Sequence, residues 1–182
     1  STTGQGMTTL TNARGMTADE GDKVWKGLAA SAAAFGKTPD ALASDFISAS
    51  NTLMAHGPNM MSVFKDLEAT AMASGLAMDT LLGVASKFDT FDSAAGSVGN
   101  LNALLGGDYL NTLEMMNMNE AERVQALKSS LDMAGKNFDQ MERFERKAVA
   151  EQMGMDEQQL AQMMNSSGRA ARQARKEAKE KE

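Results

Sequence analysis

Apolar residues along this chain recur at spacings of three and four, and short polar interruptions separate the runs. The period places them on one stripe of a helix. Leu42, Phe46, Ala49 and Leu53 form one such stripe, and Met60, Phe64, Leu67 and Ala71 the next. Val124, Leu127 and Leu131 make a third; Met141, Phe144, Ala148 and Val149 make a fourth. The interruptions have a common grammar. Gly36 precedes Asp40, Gly75 precedes Asp79, Gly135 precedes Asp139, and Gly154 precedes Asp156. Glycine takes the left-handed conformation just past a helix end, and aspartate caps the free N–H groups of the next helix.

These signals predict a first helix over 18–35, with Thr17 and Glu20 as its capping box. Further helices are expected from Thr38-Pro39, over 59–74, from Asp79 through Ser86, and over 92–105 with a stop at Gly106-Gly107. A short turn of helix covers 110–116. Asn119, Asp139 and Asp156 open the last three, the final one ending at Met164. The expected fold is all-α, a compact array of seven to nine short helices with a polar, helical carboxy-terminal extension. Residues 1–16 read as a flexible leader, 17–164 as the helical domain and 165–182 as a charged extension. The intervals between stops are irregular, so this is not a repeat protein.

Composition sharpens the picture. A single isoleucine, Ile47, and few valines argue against strands. Sixteen methionines in 182 residues supply faces that can repack, because the Met side chain is unbranched and polarizable. The net charge of −6 lacks the basic footprint of a nucleic-acid module. There is no cysteine, and no apolar run approaches the ~20 residues that span a bilayer. The chain opens on Ser1; removal of an initiator Met or excision from a longer protein would each explain that. The extension is the exception in charge. It carries Arg169, Arg172, Arg175, Lys176, Lys179 and Lys181 against three glutamates. Its first four bases are the candidate contacts for phosphate or an acidic partner; a solvated polar helix leading to the next segment is the plainer reading.

Several stretches imitate chemistry. Gly36-Lys37-Thr38 ends like a phosphate-binding loop, but Ser31 stands where the first glycine belongs and a helix precedes it rather than a strand. Asp89, Asp92 and Asp108 lack the spacing of a calcium-binding loop. With one histidine, His56, and no cysteine, neither a His/Cys zinc site nor a cysteine nucleophile is available. No catalytic residue, cofactor or metal ligand is expected. Residues 140–164 imitate a helix-turn-helix, with Ala150 and Gly154 at the turn and Val149, Met153, Met155, Leu160 and Met163 inside. The second helix would begin with Asp156 and Glu157 and carries no base, so it would repel the duplex it should read. Any tight helical corner needs the same small residue and glycine. Helix-packing and turn roles therefore fall to Gly36, Gly75, Asp79, Gly106, Gly107, Gly135, Asp139, Ala150 and Gly154.

The second half of the chain carries an ordered string: Phe88 and Phe91, then Leu101-Asn102-Ala103-Leu104-Leu105-Gly106-Gly107, then Glu122-Arg123. The string continues through Phe138-Asp139, Phe144-Glu145 and Ala148-Val149-Ala150-Glu151 to Met153-Gly154-Met155. In that order it resembles a segment of the tail tape measure proteins of large tailed bacteriophages. It covers 88–164, is looser over 38–86 and is absent at both ends. The order of the whole string carries it. It implies a non-enzymatic virion structural protein in the tail lumen, present in the host cytoplasm during assembly. Such a protein sets tail length and leaves at DNA ejection. The implied partners are a few copies of itself (three or six), tail tube proteins and baseplate hub proteins, with no sequence-specific nucleic acid and no membrane. A ruler should be one long helix rising ~1.5 Å per residue, whereas this chain stops every few turns; it reads as a folded end module near the tail tip. The alternatives are a hub or other internal virion component, and an acidic adaptor or regulatory domain with a degenerate helix-turn-helix.

Overall fold

The computed structural model describes residues 17–165 and 176–180. These residues are all-α, with no strand among them. Among the described residues, the helices with both ends described are α1 (Ala18–Ala30), α2 (Pro39–Leu53), α3 (Met60–Ser74), α4 (Met78–Ser86), α5 (Phe91–Leu105), α6 (Thr112–Asn117), α7 (Glu120–Met133), α8 (Arg143–Met153) and α9 (Glu157–Met164). Short 3-10 segments occupy Ala32–Phe35, Met54–Asn59 and Phe138–Gln140, and the described residues 176–179 are helical. The helix expected over 18–35 thus divides. Ser31 closes α1, and the run that follows tightens into a 3-10 turn ending at Gly36.

Capping explains most starts. Thr17 with Glu20, Asn119 with Glu122, and Asp156 with Gln159 each form reciprocal capping boxes. Thr38, Thr90 and Asn111 cap α2, α5 and α6 through their side chains, and Pro39 sits in the first turn of α2. Two expected caps are placed otherwise. Asp79 lies inside the first turn of α4 behind Ala77, where its charge meets the helix dipole without capping. Asp139 lies inside the 3-10 turn that Asn137 caps, and α8 starts later, at Arg143. Asn competed for the cap position two residues earlier, and the chain turned before it could become α-helical.

The stops share one geometry. Gly36, Gly106, Gly135 and Gly154 have φ of 67°, 83°, 69° and 80°. After each, the next N–H reaches back five residues: Lys37 to Ala32, Gly107 to Asn102, Lys136 to Leu131 and Met155 to Ala150, all at 3.0–3.1 Å. This is the Schellman closure, which a glycine at positive φ makes accessible. Gly75, at φ 74°, ends α3.

The described residues divide into two compact units. The described chain up to Ala73, together with residues 176–180, forms one compact unit; the chain from Ser74 to Asn165 forms a second. In the first, Trp25 meets Phe46 edge-on at 6.0 Å and Phe46 meets Phe64 at 5.4 Å, around Leu42, Leu53 and Leu67. In the second, Leu81, Val84, Phe88, Leu101, Leu127, Leu131, Val149, Met153 and Leu160 are buried. The stripes of α2, α3 and α7 face inward as periodicity requires. Phe144 does not: it is 72% exposed, because α8 begins only one residue before it and the buried stripe is Val149, Ala150 and Met153.

Candidate functional site

The positions with distinctive chemistry are three polar clusters in otherwise apolar surroundings, together with the helical corner. The first surrounds Arg123 in α7. Its guanidinium is buried and gives every face of its fork a partner. Nε donates to the Met115 carbonyl at 2.9 Å, Nη2 to Met116 at 3.0 Å, and Nη1 to Ala85 at 3.0 Å and to the Asp89 carboxylate at 2.6 Å. Those carbonyls lie in the last turns of α4 and α6, so one side chain ties three helices; Ala85 and Met115 also accept turn bonds from Phe88 and Met118, at 3.2 and 3.3 Å. Arg123 sits four residues before Leu127, on the inward stripe of its helix; that spacing was the available signal of burial.

Asn102 does the same for the loop after α5. Its Oδ1 accepts from the N–H groups of Tyr109 and Leu110, and its Nδ2 donates to the Leu110 carbonyl. The Gly106-Gly107 pair permits that fold-back. A Cβ on Gly107 would come within 3.0 Å of the Tyr109 ring.

The second cluster joins Lys37, Asp45 and Glu68 in the first unit. Lys37 Nζ bridges the Asp45 carboxylate and Glu68 Oε2, the latter at 2.8 Å. Glu68 is fully buried, and neither of its oxygens has a well-aligned hydrogen bond. Burial, and next the nearby Asp45 carboxyl, push its carboxyl up to about 8 against the pull of Lys37. For Lys37, burial works to lower the ammonium, but its bonds to Asp45 and Glu68 outweigh that and raise it. The cluster is therefore Lys37 and Asp45 as the ion pair, with Glu68 neutral beside them near neutral pH. The residues of the would-be phosphate loop are absorbed: Gly36 is a helix stop, Lys37 is engaged, and Thr38 is a cap.

The third cluster joins Ser31, Lys65 and Asp66 to the carboxy-terminal turn. Lys65 is 1% exposed and Ser31 is wholly buried. Both donate to the Ala178 carbonyl, at 3.2 and 3.1 Å, and Lys179 pairs with Asp66 at 3.4 Å. Ala178 is wholly buried, so residues 176–180 are not solvated on every side. Of the candidate basic contacts, Lys176 is exposed; Arg169, Arg172 and Arg175 lie outside the described residues.

The helical corner over 140–164 forms. Val149, Met153, Met155, Leu160 and Met163 are all buried, and Ala150 accepts the closing bond from Met155. Lys87 crosses the turn: its Nζ donates to the Glu151 carbonyl at 3.0 Å, and its Cε would lie 3.0 Å from a Cβ on Gly154. The start of α9 is occupied by its own capping box, and Gln159 also donates to Thr80. An open hollow of about 600 Å³ at the corner is lined by Lys147, Ala150, Glu151, Met155, Asp156 and Glu157, among others. Three carboxylates against one amine are the wrong balance for a phosphate backbone.

Among the described residues no group of three or more His, Asp or Glu side chains is arranged to hold a metal, and no helix is long and apolar enough to cross a membrane. No protein-family model, curated protein or solved structure matches the chain.

Proposed function

We propose that this chain is a folded module of a phage tail tape measure protein. In this reading it is a virion structural protein that lies in the tail tube near the tip, helps set tail length and leaves at DNA ejection. One observation carries the reading. The resembling string, 88–164, falls within a single compact unit, and its distinctive members have connected roles there. Phe88, Leu101 and Leu105 fill the core, Asn102 folds the loop, Arg123 ties two helix ends and Gly154 makes the corner. A module rather than a stretch of rod is supported by the left-handed stops at Gly36, Gly75, Gly106, Gly135 and Gly154. Methionines are spread through both units, some buried (Met60, Met78, Met153) and some exposed (Met54, Met72, Met133), which suits a chain that packs in one state and rearranges in another.

The test compares purified particles with particles triggered to eject, using mass spectrometry. Peptides of this chain, abundant before ejection and depleted after it, are the expected result. Persistence after ejection would assign the chain to a fixed hub component instead. Absence from particles would remove the virion reading and leave the acidic helical-corner domain, for which salt-sensitive duplex binding by residues 137–182 is the next measurement.

A further inference from the structure

Glu68 is fully closed to solvent, yet neither of its oxygens has a well-aligned hydrogen bond. Buried polar atoms in folded proteins are nearly all partnered, so an orphan carboxyl needs a cause. The ion pair beside it supplies none, because Lys37 and Asp45 already balance in charge. The groups around Glu68 are instead those that an amide condensation requires. Lys37 Nζ touches both carboxyls, with Glu68 Oε2 at 2.8 Å. Each group is held by a different element. Lys37 sits in the turn before α2, where its N–H is bonded to the Ala32 carbonyl; Asp45 lies within α2 and Glu68 within α3. Reacting groups held in this way reach effective molarities of about 10⁵–10⁸ M. Phe64, one turn before Glu68 on the same face, is wholly buried, as are Leu42 and Phe46 on either side of Asp45 in sequence. Water, a product of amide formation, is thus kept from the carboxyl. Two carboxyls beside one ammonium cannot both ionise in such a site, and burial leaves the proton on Glu68. An amine attacks a neutral carboxylic acid, and a neighbouring base activates it by taking its proton.

We propose that the Lys37–Asp45–Glu68 cluster is a self-modification site, at which the Lys37 amine condenses with the Glu68 carboxyl and the amide ties the turn before α2 to α3. Asp45 is the base. It takes a proton from the Lys37 ammonium, and the freed lone pair attacks Glu68 Cδ. The bond from Cδ to the hydroxyl oxygen then breaks, and the hydroxyl leaves as water with a second proton from nitrogen. Of the three ammonium protons, one stays on the amide, one leaves in the water and one ends on Asp45. Atoms and charge balance with no co-reactant. The bonds that raise the Lys37 ammonium make the free amine scarce and the reaction slow, but it has to occur only once in the life of a molecule. The product removes both burdens of the site. One orphan oxygen departs as water, and a neutral amide replaces a partly buried ammonium. The chain whose Glu68 still titrates is the unlinked one. This chemistry does not depend on where the chain works.

Intact-mass spectrometry of the full chain, freshly refolded and then held at neutral pH, tests this. The expected result is loss of the mass of one water over time, at a rate independent of chain concentration. Trypsin should then no longer cut after Lys37, and a branched peptide should carry Lys37 joined to Glu68. Full mass throughout would overturn the proposal. So would a lost water with Lys37 still cleavable, which is the mark of a succinimide at an aspartate. A branch from Lys37 to Asp45 would overturn the roles given to the two acids, and the same link formed in urea would show that the folded cluster is not its source. Lys37→Arg keeps a cation but cannot condense, and should stay at full mass; a dehydrated Lys37→Arg chain would place the loss elsewhere. Asp45→Asn, checked for parental circular dichroism, should form the Lys37–Glu68 link about 10²–10⁴-fold more slowly. An unchanged rate would remove Asp45 as the base and overturn the mechanism.

Discussion

Replacing Arg123 tests what closes the second unit. Arg123→Met keeps the length and apolar stem of the side chain but removes all four donated hydrogen bonds. Three of these end on backbone carbonyls of Ala85, Met115 and Met116, which lie at or near helix ends. Ala85 and Met115 keep turn bonds from Phe88 and Met118, so what is lost is the charge-assisted bonding itself, about 1.5–3 kcal/mol for a bond to a charged group. The expected loss is thus about 2–3 kcal/mol, a large fraction of the ~5–15 kcal/mol that holds an ordinary domain folded. Asp89 provides the contrast. Its side chain is 55% exposed, so its ion pair with Arg123 is screened, and Asp89→Ala should cost less than about 1 kcal/mol. Urea unfolding followed by far-ultraviolet circular dichroism measures both changes. Hydrogen exchange over α4 and α6 should locate the damage from Arg123→Met at the ends of those helices. If Arg123→Met costs under about 1 kcal/mol, or if Asp89→Ala costs as much as Arg123→Met, charge-assisted bonding to carbonyls is not what Arg123 supplies.

Three other perturbations separate local from tertiary causes. Gly106→Ala meets open space and should lose about 1–2 kcal/mol from its positive φ alone, whereas Gly154→Ala adds the displacement of Lys87 from Glu151, about 1 kcal/mol more; thermal melts of equal size would contradict this. Glu68 holds its proton in the folded chain up to about 8, while the unfolded chain releases it near 4.5, so its contribution is complete below the lower value and lost as pH rises through the upper one. The urea midpoint of the first unit should therefore fall between those pH values, and Glu68→Gln should flatten the slope; an unchanged slope would assign the pH dependence elsewhere. Phe144→Ser, at a position 72% exposed, should shift stability by no more than about 0.5 kcal/mol, and a larger loss on chemical denaturation would mean that Phe144 is covered in solution.

Local chemistry determined much of this protein. Caps and stops act within a few residues, so Thr17 with Glu20, Asn119, Asp156 and the glycines at 36, 75, 106, 135 and 154 could be read directly from their neighbours. Strong periodicity gave the inward faces of α2, α3 and α7 for the same reason: a helix turns at a fixed angle per residue. Where two local signals competed, only the folded chain decided. Asn137 took the cap expected of Asp139, and the delayed start of α8 turned Phe144 outward. Partners distant in sequence were settled by packing alone. Arg123, Lys65 and Glu68 lie on apolar stripes, but their burial depends on acceptors and charges from other elements, including a carbonyl 113 residues from Lys65. The division after Ala73 belongs to the same class, because a unit is defined by which helices share a core, and helical periodicity says only that each has a face to bury.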